Sequence, residues 1–190
     1  MLSDNASIDK DELILQEIES KGEKQFLPII GREKGQVLVN VIHDVKPKRV
    51  LEVGTLIGYS AVLIGRELSS DNELITIDIH DDEAELAKRN IERADLLVKV
   101  TVLTGDALVV IPSLAGFFDL VFLDAEKSEY LEYLRLVEDK LHAGSVVVAD
   151  NAGIFAEQMS DFLSYVRNSG QYRSRYYSFG KDGVEVSIKL

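Results

Sequence analysis

The sequence predicts an α/β fold: a seven-stranded, mostly parallel sheet with helices on both faces, closed by an antiparallel C-terminal hairpin. Three observations carry that reading. Five short apolar runs alternate with helical patterns between Val50 and Ala149, the pattern of a parallel sheet covered on both sides. Two further alternating runs, 172–179 and 184–189, flank Lys181-Asp182-Gly183, where Asp-Gly is a hairpin turn signal. A chain of 190 residues, 46% hydrophobic and 28% charged, suits one soluble domain with a full core. Within that single domain, 1–45 read as N-terminal helices and a lid, and 46–190 as a Rossmann-like core.

The elements follow in order. Leu13, Ile14 and Ile18 space an amphipathic helix ended by Gly22, and Ser7-x-x-Lys10 is not a capping box. Phe26, Leu27, Ile29 and Ile30 around Pro28 read as a loop or lid. Val37, Leu38, Val41 and Ile42 mark a helix over 33–44, ended at Pro47. Val50–Val53 is the first strand and 59–68 a helix. Leu74–Asp78 is the second strand, and Asp81 caps a helix from Asp82 to Ala94. Val100–Leu103 is the third strand, followed by a turn at Gly105-Asp106-Ala107 and a short helix over 107–114. Asp119–Leu123, a helix over 128–140, Ser145–Ala149 and a helix over 155–168 complete the alternation.

Net charge of −12 argues against general binding to nucleic acid or to an anionic membrane. With no cysteine there is no disulfide framework, thiolate nucleophile or cysteine-bound zinc. No basic-apolar leader and no apolar run near 18 residues is present, so a cytoplasmic protein without a membrane segment is expected.

The chemistry concentrates where the strands end. Val50–Val53 runs into Gly54 and Gly58 and then a helix, so a turn rich in free N–H groups faces a ligand at a helix N-terminus. The spacing is Gly-x-x-x-Gly, not the Gly-x-Gly-x-x-Gly of dinucleotide sites; the same residues also suit an ordinary strand-to-helix turn. Asp78 ends the second strand, 20 residues after Gly58, where an acid can accept hydrogen bonds from ribose hydroxyls. Asp106 can read an adenine amino group, cap the short helix, or do both. Asp124, Asp150 and Asn151 offer three hard oxygen donors from two adjacent strand ends, a set suited to Mg²⁺. Lys127, beside them in a partly dry site, is a candidate base; otherwise it is a surface helix lysine. Glu185 alternates with Val184 and Val186, consistent with a solvent-facing side chain. His43, His80 and His142 are dispersed, without metal-ligand spacing. Tyr172-Arg-Ser-Arg-Tyr-Tyr interleaves basic and aromatic groups as single-stranded nucleic acid sites do, although the acidity of the chain favours a plain strand.

The segments Gly31–Gln36, Val50–Ser60, Leu74–Asp78, Phe122–Lys127 with Tyr130, Val148–Asn151, Asp161–Asn168 and Asp182–Glu185, in this order, resemble the catechol O-methyltransferase group. These are S-adenosylmethionine- and Mg²⁺-dependent O-methyltransferases of the class I fold. The resemblance implies that Ile30, Glu52, Gly54, Gly58, Ser60, Asp78, Asp106, Ala107 and Asp124 surround the cofactor. It implies Asp124, Asp150 and Asn151 as metal ligands, Lys127 as general base and Glu185 as the acid holding a second acceptor hydroxyl. The chain departs from the family at the acceptor gate. It has no Trp, and Phe26, Glu126 and Phe155 fall near the gate positions. The implied function is methyl transfer to a small vicinal dihydroxy acceptor, with a homodimer possible by family analogy. An RNA methyltransferase of the same fold and a non-catalytic adenosyl-ligand binder are the alternatives.

Overall fold

The computed structural model describes residues 9–190, so the Ser7 reading lies outside them. Two helices open the chain, α1 (Lys10–Gly22) and α2 (Gly31–Val45). The alternating core follows: β1 (Arg49–Val53), α3 (Tyr59–Gly65), β2 (Glu73–Asp78), α4 (Asp81–Ala94), β3 (Lys99–Thr104), α5 (Ala107–Ser113), β4 (Phe118–Leu123), α6 (Tyr130–Val137), β5 (Leu141–Ala149) and α7 (Ser160–Asn168). Strands β6 (Tyr172–Phe179) and β7 (Asp182–Lys189) close it. The strand order is β3-β2-β1-β4-β5-β7-β6. The first five strands are parallel, and β7 runs antiparallel to both its neighbours.

Side-chain alternation divides the core into two layers. Val50, Leu74, Leu120, Phe122, Val146 and Val148 face α1–α4, with Val184 and Val186 on the same side. Leu51, Val53, Ile75, Ile77, Val121, Leu123, Val147 and Ala149 face α5–α7. Burial on both faces is what makes these strands continuous apolar runs in the sequence.

The register aligns the strand ends. Val53 pairs with Ile77 and with Leu123, and Leu123 with Ala149. The next residues, Gly54, Asp78, Asp124 and Asp150, therefore form a row across four strands. Backbone bonds from Gly54 N to Ile77 O (2.9 Å), Asp124 N to Val53 O (2.9 Å) and Asp150 N to Leu123 O (3.0 Å) carry the ladder one rung into that row. Strand order reverses between β1 and β4, so this row spans the crevice where parallel α/β sheets bind ligands.

Several boundaries differ from the sequence reading: β5 begins at Leu141 and not Ser145, the helix expected over 128–140 is α-helical only over Tyr130–Val137, and the hairpin turns at Gly180-Lys181, with Asp182 and Gly183 already in β7. The helix expected over 155–168 begins only at Ser160, because residues 150–159 are successive turns. Asn151, second in that run, is in the left-handed region, at φ 61°, outside the helical range. The helix expected over 59–68 stops at Gly65. Asp81 is the first residue of α4 and not its cap, a position held by His80.

Candidate active site

A cavity of about 1040 Å³ opens at the carboxyl ends of the strands. Its walls include Phe26–Ile29 from the segment before α2, Gly54 and Leu56 from the glycine turn, and Asp78, Asp106 and Ala107. Asp124–Lys127, Asp150, Asn151, Phe155 and Asp182 complete the far side. A small adjoining cavity of about 20 Å³ lies between Ile30, Ser60, Gly54 and Asp124.

The glycine turn is built around Asp78. Its Oδ2 accepts from Thr55 N (3.0 Å) and Leu56 N (2.6 Å), and its Oδ1 from His80 N (2.9 Å). The acid therefore shapes the turn as well as facing the cavity. Gly54 and Gly58 have φ of 101° and 87°, which favours glycine at both. The close approach at each is to protein and not to open cavity. A Cβ on Gly54 would stand 2.3 Å from Asp124 O, and one on Gly58 would press on Ala87 of α4 at 3.2 Å. Gly58 does not line the cavity.

Glu52 lies beneath the turn, fully buried. Its Oε2 accepts from the Thr76 hydroxyl, while Oε1 has no hydrogen-bond partner. Burial pushes its carboxyl up to about 7, against the lowering effect of the Ser60 and Thr76 hydroxyls. Asp106 combines both readings offered by the sequence: it caps α5 by accepting from Leu108 N at 2.8 Å, and it lines the cavity.

The acidic edge is bridged by two lysines. Lys127 Nζ donates to Asp124 Oδ1 at 2.8 Å. Lys34, on the first turn of α2, lies 2.7 and 2.8 Å from the two oxygens of Asp150 and 2.7 Å from Asp182 Oδ2. Burial drives the Asp124 carboxyl up to about 7, with Lys127 opposing and Asp150 adding to the rise. Burial also raises Asp150, against Lys34. Burial thus disfavours the ionised form of both acids, a cost that a bound cation would offset. Among the described residues no three acids or histidines form a metal cluster. The donor set that fits a cation is two carboxylates with the Asn151 amide oxygen, whose Nδ2 is already committed to Asp182 Oδ2 at 3.0 Å.

Glu185 stands elsewhere. Val184 and Val186 face α1–α4, so alternation turns Glu185 toward α7. There both its oxygens accept from Arg167, at 2.9 and 2.7 Å, and the carboxylate is 1% exposed. It is neither solvent-facing nor a cavity-lining group. Arg173 and Arg175 of the basic-aromatic stretch are exposed and also lie outside the cavity wall.

Lys34 and Asp182 are the functional candidates that sequence reasoning passed over. Lys34 belongs to a segment quoted for its resemblance, and Asp182 to a turn, but nothing in their spacing signals that they meet. Their separation of 148 positions is closed only by packing α2 against the C-terminal hairpin.

Comparison with known proteins agrees with this architecture. A family model described as O-methyltransferase matches residues 4–162. Catechol O-methyltransferase B of Danio rerio is 38% identical over 174 residues, covering 85% of this chain and 65% of its own length. Catechol O-methyltransferase of Sus scrofa is 35% identical over 172 residues, covering 84% of this chain and 91% of its own. The chain thus spans less than two thirds of the length of the first of these relatives, 65%, and 91% of the second. The structure of the O-methyltransferase TomG from Streptomyces achromogenes, involved in tomaymycin synthesis and solved in complex with SAM, superposes with a TM-score of 0.85. It is 24% identical, covers 97% of this chain and 93% of its own, and matches in fold. The chain belongs to the O-methyltransferase family.

Proposed function

We propose that this chain is an S-adenosylmethionine-dependent O-methyltransferase acting on a small, catechol-like vicinal dihydroxy acceptor with the help of Mg²⁺ or another divalent cation. One observation carries the reading. The donor-side residues Gly54, Asp78 and Asp106 share one cavity with the oxygen donors Asp124, Asp150 and Asn151 and the amine of Lys127. The relatives named as catechol O-methyltransferases and a fold neighbour solved with SAM support it.

In this reading Asp78, its carboxylate aligned by the turn N–H groups, receives the ribose hydroxyls. Asp106 and Ala107 meet the adenine. Ile30, Ser60, Gly54 and the buried Glu52 surround the methionine end, and Gly58 keeps the turn close to α4. Asp124, Asp150 and Asn151 would hold the cation, which supplies Lewis acidity toward an acceptor hydroxyl. Lys127, as the neutral amine, takes the proton from that hydroxyl. The acceptor oxygen then forms a bond to the methyl carbon as the carbon–sulfur bond breaks, leaving a methyl ether and S-adenosylhomocysteine. The walls of the cavity align oxygen, carbon and sulfur, so much of the acceleration is positional. Glu185 has no part in this mechanism, since Arg167 occupies it on the other face.

The test is turnover of catechol and related diols with S-adenosylmethionine, with and without EDTA. Asp150→Ala should lower metal-dependent turnover by at least about 100-fold while donor affinity holds. Equal turnover with and without EDTA would refute the metal role, and no turnover with any diol would leave a donor-binding protein. A cytoplasmic setting and a homodimer belong to the same proposal. No helix among the described residues is long and apolar enough to cross a membrane, and light scattering reads the assembly.

A further inference from the structure

Asp182, the first residue of β7, makes more contacts than its pairing with Phe179 needs. Its Oδ1 accepts from Gly153 N (3.4 Å) and Ile154 N (3.2 Å), and its Oδ2 from Lys34 Nζ (2.7 Å) and Asn151 Nδ2 (3.0 Å). The residue thus joins the start of β7 to α2 and to the turns after β5. Its effect on Asn151 is specific. An amide has one accepting end and one donating end, and a carboxylate can only accept. Because Asp182 takes the nitrogen, the Asn151 oxygen is turned the other way. The backbone of Asn151 is in the left-handed region, at φ 61°. Lys34 contributes to the same arrangement, holding Asp150 and Asp182 through one ammonium group.

We infer that Asp182 is a positioning residue for a divalent-cation site, fixing the Asn151 amide so that its oxygen is presented alongside Asp124 and Asp150. This rests on the cation reading given above. Outer partners of metal ligands typically change metal affinity by about 10–100-fold when they are lost.

Asp182→Asn is close to isosteric and keeps an oxygen for the Gly153 and Ile154 N–H groups. Its amide nitrogen then replaces the oxygen that accepts from both Asn151 and Lys34, so Lys34 keeps Asp150 alone, and the Asn151 amide must invert, turning its own nitrogen toward the cation. The probe is Mn²⁺, titrated into the protein with S-adenosylhomocysteine and counted by loss of the free-ion EPR signal. The expected result is a fall in Mn²⁺ affinity of about 10–100-fold. Affinity for S-adenosylhomocysteine, read by calorimetry without metal, should stay close to the parent value. Adding Asn151→Asp to Asp182→Asn supplies an oxygen at both ends of side chain 151 and should restore Mn²⁺ binding to within about threefold. Unchanged Mn²⁺ affinity in Asp182→Asn overturns the inference, as does a parallel loss of S-adenosylhomocysteine binding or a failure of the double variant to recover. Asp150→Ala separates the two claims: full Mn²⁺ binding by that variant overturns the cation reading itself, and the inference with it.

Discussion

Glu52 is an acid placed where an ionised carboxylate is costly. It is fully buried, and burial pushes its carboxyl from an ordinary 4.5 up to about 7. The folded state therefore keeps a proton that the unfolded chain releases near pH 4.5. The associated stability is full below pH 4.5, declines as the pH rises toward about 7, and levels off above it. The decline amounts to roughly 3 kcal/mol. Glu52→Gln should flatten the dependence of stability on pH across this window, read from urea midpoints on either side of it. Asp124, also raised to about 7, shares the window, so the slope should shrink without vanishing. An unaltered slope would mean that Glu52 ionises as a solvated acid. The residue scale also accounts for the glycines: Gly54 and Gly58 are held by a backbone carbonyl and by α4, contacts that a motif of spacing alone cannot reveal.

Among the elements, α1 packs against α3 and α4. Its stripe of Ile14, Leu15 and Ile18 is buried in the layer that contains α2, α3 and α4. Polar contacts frame the stripe: Arg32 binds Glu12 and Glu19, Arg66 binds Glu12, and the Tyr59 hydroxyl donates to Glu19. These charged groups are partly exposed, and such pairs contribute little, so the apolar stripe dominates. Ile18→Ala should cost about 2–5 kcal/mol by chemical denaturation. A cost below about 1 kcal/mol would indicate that α1 is docked by its ion pairs instead. The strands were legible because burial on both faces leaves short apolar runs. The start of α7 was not, because residues 155–159 carry helix-compatible side chains, while the left-handed Asn151 and the Asp182 contacts to Gly153 and Ile154 lie just before them.

At the scale of the molecule, charge and topology act together. A net charge of −12 surrounds a cavity whose wall includes Asp78, Asp106, Asp124, Asp150 and Asp182. Such a surface repels phosphate backbones. Filter binding of tRNA should detect no complex at about 150 mM salt, and retention that weakens steeply with salt would return weight to Arg173 and Arg175. The sequence by itself determined the alternation of strands and helices, the family, and the acids that end β2, β4 and β5, because periodicity and local motifs are written in neighbouring residues. It also determined that Glu185 points opposite to Val184 and Val186, since strand alternation is local. Only the tertiary structure decided what lies on that opposite face. Helix α7 covers Glu185 with Arg167, whereas α2 brings Lys34 to Asp150 and Asp182. Those partners are set by which helix packs on which side of the sheet, a long-range result of burying both faces that no spacing along the chain encodes.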